Sequence, residues 1–220
     1  MNKLPPPAIE PISLAEARLQ CKVDPEGSPP THPDDDLLSL FISAAREWAE
    51  EYTGTAIGAR VQELALTIFP GTGNQSTTAA TGTATLAAKA SAITLPEWPV
   101  LGIASIAYIN AAGSELLVPP ADYLLDTSAT PRRIILADGA AWPSAKDVVN
   151  GFRVRYVIGY SAPGESPQDS PLPRAIKVAL LLMLAHLYRN REASSVVALQ
   201  TIPLGATALL DTQRIRLGFA

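Results

Sequence analysis

The chain has 220 residues, of which 47% are apolar, and its 17 Lys and Arg against 21 Asp and Glu give a formal net charge of −4. One Cys excludes a disulfide framework and an all-thiolate metal site, and two His argue against a His-rich metal centre. A mildly acidic chain is not a general nucleic-acid coat, because neutralising phosphates requires clustered Lys and Arg.

The first predicted helix is short. Ser13 and Glu16 stand three residues apart, which is the spacing of a capping box. Leu14 and Cys21 share one face of the predicted helix, which runs from about residue 13 to 22. Cys21 is therefore expected to be a small core residue rather than a redox or catalytic group.

The next predicted helix is the clearest in the front half of the chain. Its apolar residues recur three or four positions apart, at Leu37, Phe41, Ala45, Trp48 and Tyr52. The acidic run 34–36 supplies an N-cap and first-turn carboxylates, and Gly54 is a natural stop. That run lacks the ligand spacing of a calcium loop, so capping is favoured over metal binding.

From residue 60 to 160 the pattern changes to short strands. We predict strands at 61–69, 92–95, 103–109, 115–118, 123–125, 133–136 and 152–158. No crossover helices separate them, so they predict an antiparallel β module. In the last strand Arg153 and Arg155 alternate with apolar side chains, which predicts one buried face and one mostly exposed face.

Residues 71–91 interrupt this module with a biased composition. Of these 21 residues, 17 are Gly, Ala, Ser or Thr. A structureless loop of this length is uncommon within compact domains. The stretch is either a flexible connector or an arm that becomes ordered against a partner.

A second strong helix is predicted from Pro173 to about residue 190. Its residues between 176 and 187 are apolar almost all round, so we expect burial on all sides, against the β module or an adjacent subunit. The uncharged run 178–188 has 11 residues, whereas a membrane-spanning helix needs about 20. His186 is favoured as a core or interface residue over a ligand. A final turn or short helix is predicted over 203–210.

Together these elements predict an α+β fold, in which a small α-helical core carries an inserted antiparallel β module. The core comprises an N-terminal part, residues 1–59, and a C-terminal part, residues 161–220, with the long helix and a tail. The β module comprises residues 60–160, including the loop 71–91. The prolines fall between the apolar segments and mark the joints between these parts.

The charge is distributed unevenly along the chain. Residues 1–60 have 5 basic and 10 acidic side chains, residues 61–170 have 6 and 9, and residues 171–220 have 6 and 2. One interpretation is two helices with solvated faces of opposite sign. The other is a molecule that meets its neighbours, or copies of itself, through complementary ends.

Catalytic motifs are missing from the sequence. It has no Walker loop, dinucleotide fingerprint, nucleophile elbow or zinc-binding helix motif. Neither His32 nor His186 has a neighbouring motif that would orient it for acid–base catalysis. We therefore expect a scaffold or interaction protein with no cofactor, no metal ion and no enzymatic activity. A hydrolase that pairs one of the two His with a carboxylate is the least favoured alternative.

Four groups of residues, in this order, resemble a known family. They are 11–17 with 23–24; 35–38 with 44–47 and 52–54; 95–96 through 122–123 with 142–143, 154–156 and 159–160; and 173–176 with 185–188, 190–192, 203–205 and 208–210. Their order and spacing resemble the head–tail connector (adaptor) proteins of long-tailed phages and prophages, in the longer form with an inserted β module. Gene-transfer-agent particles use similar adaptors.

The resemblance implies a structural virion protein at the head–tail interface, made in the host cytoplasm. Such adaptors assemble as a ring, typically of twelve subunits, beneath the portal protein. The ring extends the DNA channel, through which DNA passes without specific binding, and presents a docking surface for the stopper or tail-completion protein. No membrane is involved.

The resemblance also implies where partners bind. In the family the C-terminal segment tends to reach the portal. The candidate portal or subunit contacts here are Arg189, Arg191, Leu204, Leu209, Leu210, Arg214, Arg216 and Phe219. Arg153 and Arg155 of the β module face either a partner or solvent. An alternative function is a receptor- or glycan-binding component of a tail or baseplate, which would place the activity within residues 60–160.

Overall fold

The computed structural model describes residues 5–7, 9–28, 30–67, 92–146, 148–160, 172–190 and 204–214. In it the first predicted helix is present as α1, Leu14–Cys21. The predicted capping box is formed. The Ser13 hydroxyl accepts a hydrogen bond from the Glu16 backbone N–H at 3.3 Å, and the Glu16 carboxylate accepts one from the Ser13 backbone N–H at 3.1 Å. Lys22, in a left-handed conformation, ends the helix.

The capping box gives a direct stability prediction. Ser13→Ala is expected to lower the free energy of unfolding by about 1 kcal/mol, because it leaves an N-terminal backbone N–H of α1 without its acceptor. Ser39→Ala, at an exposed position within a helix, is the control and should change it by less than about 0.5 kcal/mol. Urea unfolding of the full chain measures both, and equal midpoints would show that the box contributes nothing.

The second helix, α2, spans Asp35–Thr53 and ends at Gly54 with φ 70°, as predicted. Capping by Asp34 is wrong in detail. Asp34 occupies the N-cap position without a side-chain cap, and its carboxylate instead accepts a hydrogen bond from the Tyr188 hydroxyl at 2.7 Å. The Asp35 carboxylate accepts from the His32 backbone N–H at 2.7 Å and from Arg18 of α1 at 2.8 Å. The Asp34 and Asp35 carboxylates therefore bind partners outside α2.

Two further helices complete the helical part: α3, Arg174–Arg189, and α4, Leu204–Asp211. Pro173 is the N-cap of α3 rather than part of its first turn. α3 packs against α1, α2 and α4. The core between them consists of Ile12, Ala17, Leu38, Ile42, Ala45, Ala49, Ile57, Leu172, Ile176, Ala179, Leu180, Met183, Leu184, Ala206 and Leu210.

Burial of α3 on all sides is not observed. Its core-facing side is covered by the other three helices, but Val178 on the opposite side is 46% exposed, and Leu181 and Leu182 are only half-buried. The reason is that α1, α2 and α4 contact only part of the circumference of α3. The outer side of α3 remains partly apolar and accessible.

Seven strands lie between α2 and α3 in the described part of the chain. They are β1 (Arg60–Leu66), β2 (Ile93–Thr94), β3 (Val100–Ile109), β4 (Glu115–Leu117), β5 (Tyr123–Asp126), β6 (Arg133–Leu136) and β7 (Phe152–Ile158). One sheet has the order β1-β7-β3-β4 and the other β2-β6-β5, and a 3-10 helix, Pro120–Asp122, precedes β5. β3 pairs antiparallel with β4 and β7, and β6 pairs antiparallel with β2 and β5. The predicted α+β fold class is confirmed.

The alternation predicted in β7 is confirmed by its burial. Phe152, Val154, Tyr156 and Ile158 are fully buried, whereas Arg155 is exposed. Phe152 lies opposite Tyr108 of β3, and its ring meets Trp142 edge to face with 6.2 Å between ring centroids. The buried side of β7 therefore forms the centre of the β-sheet core, and its other side is available for charged residues.

The chain folds as two compact units. The helical unit contains residues 1–60 and 159–220, and the β unit contains residues 61–158. The Tyr160 backbone N–H donates to the Ile57 carbonyl at 3.2 Å. The end of the first part of the helical unit and the start of its second part therefore lie side by side. The stretch 71–91 lies outside the described residues. None of the helices in the described ranges has the length and apolar character needed to cross a membrane.

Candidate functional site

A buried cluster of charges lies where the chain leaves the helical unit. Glu50 of α2 accepts hydrogen bonds from Arg46 at 2.9 Å, from the Ile57 backbone N–H at 2.8 Å, and from the Arg60 guanidinium. Arg46 also pairs with Glu10 at 2.8 Å. Arg46, Glu50 and Arg60 are each at most 9% exposed. A buried charge is costly unless it is paired, and here every member has partners.

The pKa of Arg60 responds to its position in this cluster. Burial, and then the nearby charge of Arg46, lower its pKa to about 10. It is therefore still protonated at neutral pH, and it donates to the Pro5 carbonyl at 2.7 Å as well as to the Gly58 carbonyl at 3.2 Å. The cluster therefore holds the N-terminal segment and residues 57–60 against α2, which is a structural role.

An aromatic and charged cluster lies at the C-terminal ends of α2 and α4. Trp48 and Tyr52 stack with their ring centroids 5.7 Å apart, and the Arg214 guanidinium lies 5.5 Å from the Tyr52 ring centroid. The Tyr52 hydroxyl donates to Asp211 at 2.8 Å, which raises the pKa of that hydroxyl. These contacts hold the residues that follow α4, up to Arg214, against the C-terminal end of α2.

The predicted portal or subunit contacts have different surroundings. Leu210 is fully buried in the core of the helical unit, so we no longer include it in a docking surface. Leu209 is half-buried, and Arg189 and Arg214 are exposed. Leu204 is the first residue of α4, but its side chain is outside the described part. Arg191, Arg216 and Phe219 lie outside the described residues.

The two candidate arginines of the β unit lie on the outer face of the four-stranded sheet. Arg153 pairs with Glu115 of β4, and Arg155 pairs with Glu63 of β1 at 2.8 Å. Between them is a shallow depression, to which Leu117 contributes its exposed side chain. The hydrogen bond that Arg155 donates to the Glu63 carboxylate raises the pKa of Arg155. Both arginines already have partners in their own unit, so this face presents alternating charges rather than a basic patch.

The two His side chains contact polar groups close to them in the sequence. The His32 ring accepts a hydrogen bond from the Asp34 backbone N–H at 3.0 Å, and the His186 ring lies 3.2 Å from the Asn190 amide nitrogen. Within the described ranges, no group of three or more His, Cys, Asp or Glu is placed to hold a metal ion. These surroundings give the hydrolase alternative no support.

Sequence analysis missed the buried cluster. Arg46 and Glu50 are four residues apart on one helix, and this spacing was a usable signal. Glu10 and Arg60 carry no such signal, because folding brings them to α2 from 36 and 10 residues away. Tyr52 was predicted only as part of the apolar stripe, whereas its hydroxyl also binds Asp211.

Comparison with known proteins gives matches only among solved structures. No protein-family model and no curated protein matches the sequence. A chain from the neck of an empty gene transfer agent particle, computed with C6 symmetry, is 24% identical with a TM-score of 0.66. A chain from the virion of a native gene transfer agent particle is 25% identical with a TM-score of 0.64. A chain from the neck of the native particle, computed with C12 symmetry, is 24% identical with a TM-score of 0.63.

Each of these matches covers 100% of this chain and 97% of the other. The similarity therefore includes the helical unit, the β unit and their order in the chain. The resemblance predicted from the sequence is confirmed by it.

Proposed function

We propose that this protein is a structural head–tail connector (adaptor) in the neck of a tailed phage-like or gene-transfer-agent-like particle. In this role it forms a homo-oligomeric ring between the portal and the stopper or tail-completion protein and extends the DNA channel. The observation that carries the proposal is the full-length similarity of fold to chains from particle necks. It acts as a scaffold, not as an enzyme.

The proposed ring is supported by the symmetry of the similar structures. Two of them come from necks computed with C6 and C12 symmetry. A chain repeated about such an axis meets each neighbour through two different surfaces, which is the arrangement that closes into a ring. A formal net charge of −4 also suits a channel wall, because extensive phosphate contacts would retain DNA in passage.

The proposed portal contact lies at the C-terminal end of the chain. Arg189 and Arg214 are the exposed candidates, and the Arg214 guanidinium lies over the Tyr52 ring. A receptor- or glycan-binding role is less favoured. The matched chains come from a neck or a whole virion, and the arginines on the outer sheet face are paired within their own unit.

Deleting the gene from a particle-producing strain tests this function. The expected result is heads that lack tails in negative-stain electron microscopy, with tail attachment restored by the wild-type gene in trans. In purified particles, the protein should be present in about as many copies as the symmetry of the neck requires. Normal tailed particles from the deletion strain, or tailed particles that fail only to bind their host, would overturn the proposal.

A further inference from the structure

The outer face of α2 carries acids at both ends and apolar residues between them. Asp36, Leu40, Ala44, Glu47 and Glu51 follow one another four, four, three and four residues apart, and all are exposed. Leu40 is 63% exposed and lies between the charged ends of this face. Asp36 and Glu51 take part in no ion pair among the described residues, while Glu47 lies 3.7 Å from Arg46. We call this surface the acidic stripe.

The outer face of α3 has the opposite charge pattern. Arg174 and Arg189, at its two ends, are exposed, and Val178 between them is 46% exposed. Half-buried Leu181 and buried Ala185 lie between Val178 and Arg189 along this face, and neither arginine takes part in an ion pair among the described residues. We call this surface the basic stripe.

The two stripes have the same length. Their terminal charges are 15 residues apart in both helices, from Asp36 to Glu51 and from Arg174 to Arg189. At about 1.5 Å of rise per residue this is about 22 Å along each helix axis. The first exposed apolar residue follows the first charge by four residues in both, at Leu40 and at Val178. Charges at the two ends and apolar residues in the middle can therefore meet simultaneously.

We propose that the acidic stripe of one copy of this chain binds the basic stripe of the next copy. This interface rests on the proposed function, because it is the contact that would join neighbours in the ring. Two acidic stripes would repel each other, and so would two basic stripes. The charges thus disfavour a two-fold contact centred on either stripe and favour a contact between different stripes, which closes into a ring when it is head-to-tail and the rotation permits.

Reversing the charges of one stripe at a time tests the interface. Asp36→Arg with Glu51→Arg places arginines at the ends of both stripes, and Arg174→Glu with Arg189→Glu places acids at the ends of both. Each double variant is expected to weaken self-association of the full chain about 100-fold or more, because like charges then face each other. Sedimentation velocity over a concentration series measures this. The wild-type association should weaken between about 0.1 M and 1 M salt, as the Debye length falls from about 10 Å to about 3 Å.

Mixing the two double variants gives the sharpest result. Every contact in an alternating assembly pairs one acidic with one basic stripe, so the mixture should assemble although neither variant does so alone. Native mass spectrometry should find equal numbers of the two variants in each assembly. The chain that carries all four substitutions should also assemble alone. A mixture that stays dissociated, or single variants that assemble like wild type, would overturn the interface.

A matched control separates this effect from the general change in charge. Asp24→Arg with Glu26→Arg changes the same number of acids to bases at exposed positions outside the stripe, and should leave self-association unchanged. Circular dichroism checks that each variant is folded. A wild-type chain that remains monomeric at every concentration would also overturn the interface. In that case tail attachment in the gene-deletion test still decides the proposed function separately.

Discussion

Replacing Glu50 with alanine is expected to lower the free energy of unfolding of the helical unit by about 3–5 kcal/mol. The carboxylate accepts hydrogen bonds from Arg46, Arg60 and the Ile57 backbone N–H, and no other described acid pairs with Arg60. Its removal leaves a buried guanidinium without its counter-charge. The cost is therefore that of an uncompensated charge rather than that of one lost contact.

Urea unfolding followed by circular dichroism at 222 nm, where the helices dominate, measures the effect of Glu50→Ala. Glu51→Ala is the matched control, because the neighbouring side chain is exposed and its loss should cost less than about 0.5 kcal/mol. Glu50→Gln, which retains the shape but not the charge, should fall between the two. Equal effects of Glu50→Ala and Glu51→Ala would mean that the buried cluster does not stabilise the fold.

Gly159→Ala is expected to destabilise the helical unit by about 3 kcal/mol, from about 1–3 for overpacking and about 1–2 for the backbone. Gly159 has φ +108°, and an added Cβ would lie 2.5 Å from the Gly58 carbonyl oxygen and 2.8 Å from the Ala59 Cα. These neighbours are backbone atoms, so they cannot rotate away as a side chain would. The segment at residues 57–60 would have to shift, and it carries Arg60 of the buried cluster.

Gly113→Ala separates the two contributions to this cost. Gly113 also has a positive φ, +87°, but nothing lies within 4 Å of an added Cβ. It should therefore show only the backbone cost of about 1–2 kcal/mol. Urea midpoints for both variants give the difference, which is the steric cost at Gly159. A Gly159→Ala chain no less stable than Gly113→Ala would mean that the close approach at residues 58–59 is easily relieved.

The helices and most strands could be predicted because their signals are local. The Ser13–Glu16 capping box, the stop at Gly54 and the alternation along β7 each depend on residues a few positions apart. Interactions at that range are set by helix and strand geometry, whatever the rest of the chain does. Their presence in the structure follows from the same geometry.

The interactions that could not be predicted join distant parts of the chain. Asp34 was expected to cap α2, but the hydroxyl of Tyr188, 154 residues away, binds its carboxylate. The division of the strands into two sheets depends on pairings such as Leu125 with Ile134, whose alternatives look equally good in sequence. Which side of α3 the other three helices cover could not be predicted for the same reason. Which candidate residues can dock a partner depends on which faces remain exposed after packing. Leu210 illustrates this, because it is buried in the core.

The adjacency of Ile57 and Tyr160 makes the β unit a side branch of the chain. Cutting the branch away would leave two ends that are already hydrogen bonded to each other, so a short turn would close the helical unit with little loss of loop entropy. An inserted unit whose two connections lie next to each other can be shortened, lengthened or replaced without disturbing the helical core. In the proposed ring, the β unit can therefore diverge between lineages while the interface between the helical units stays the same.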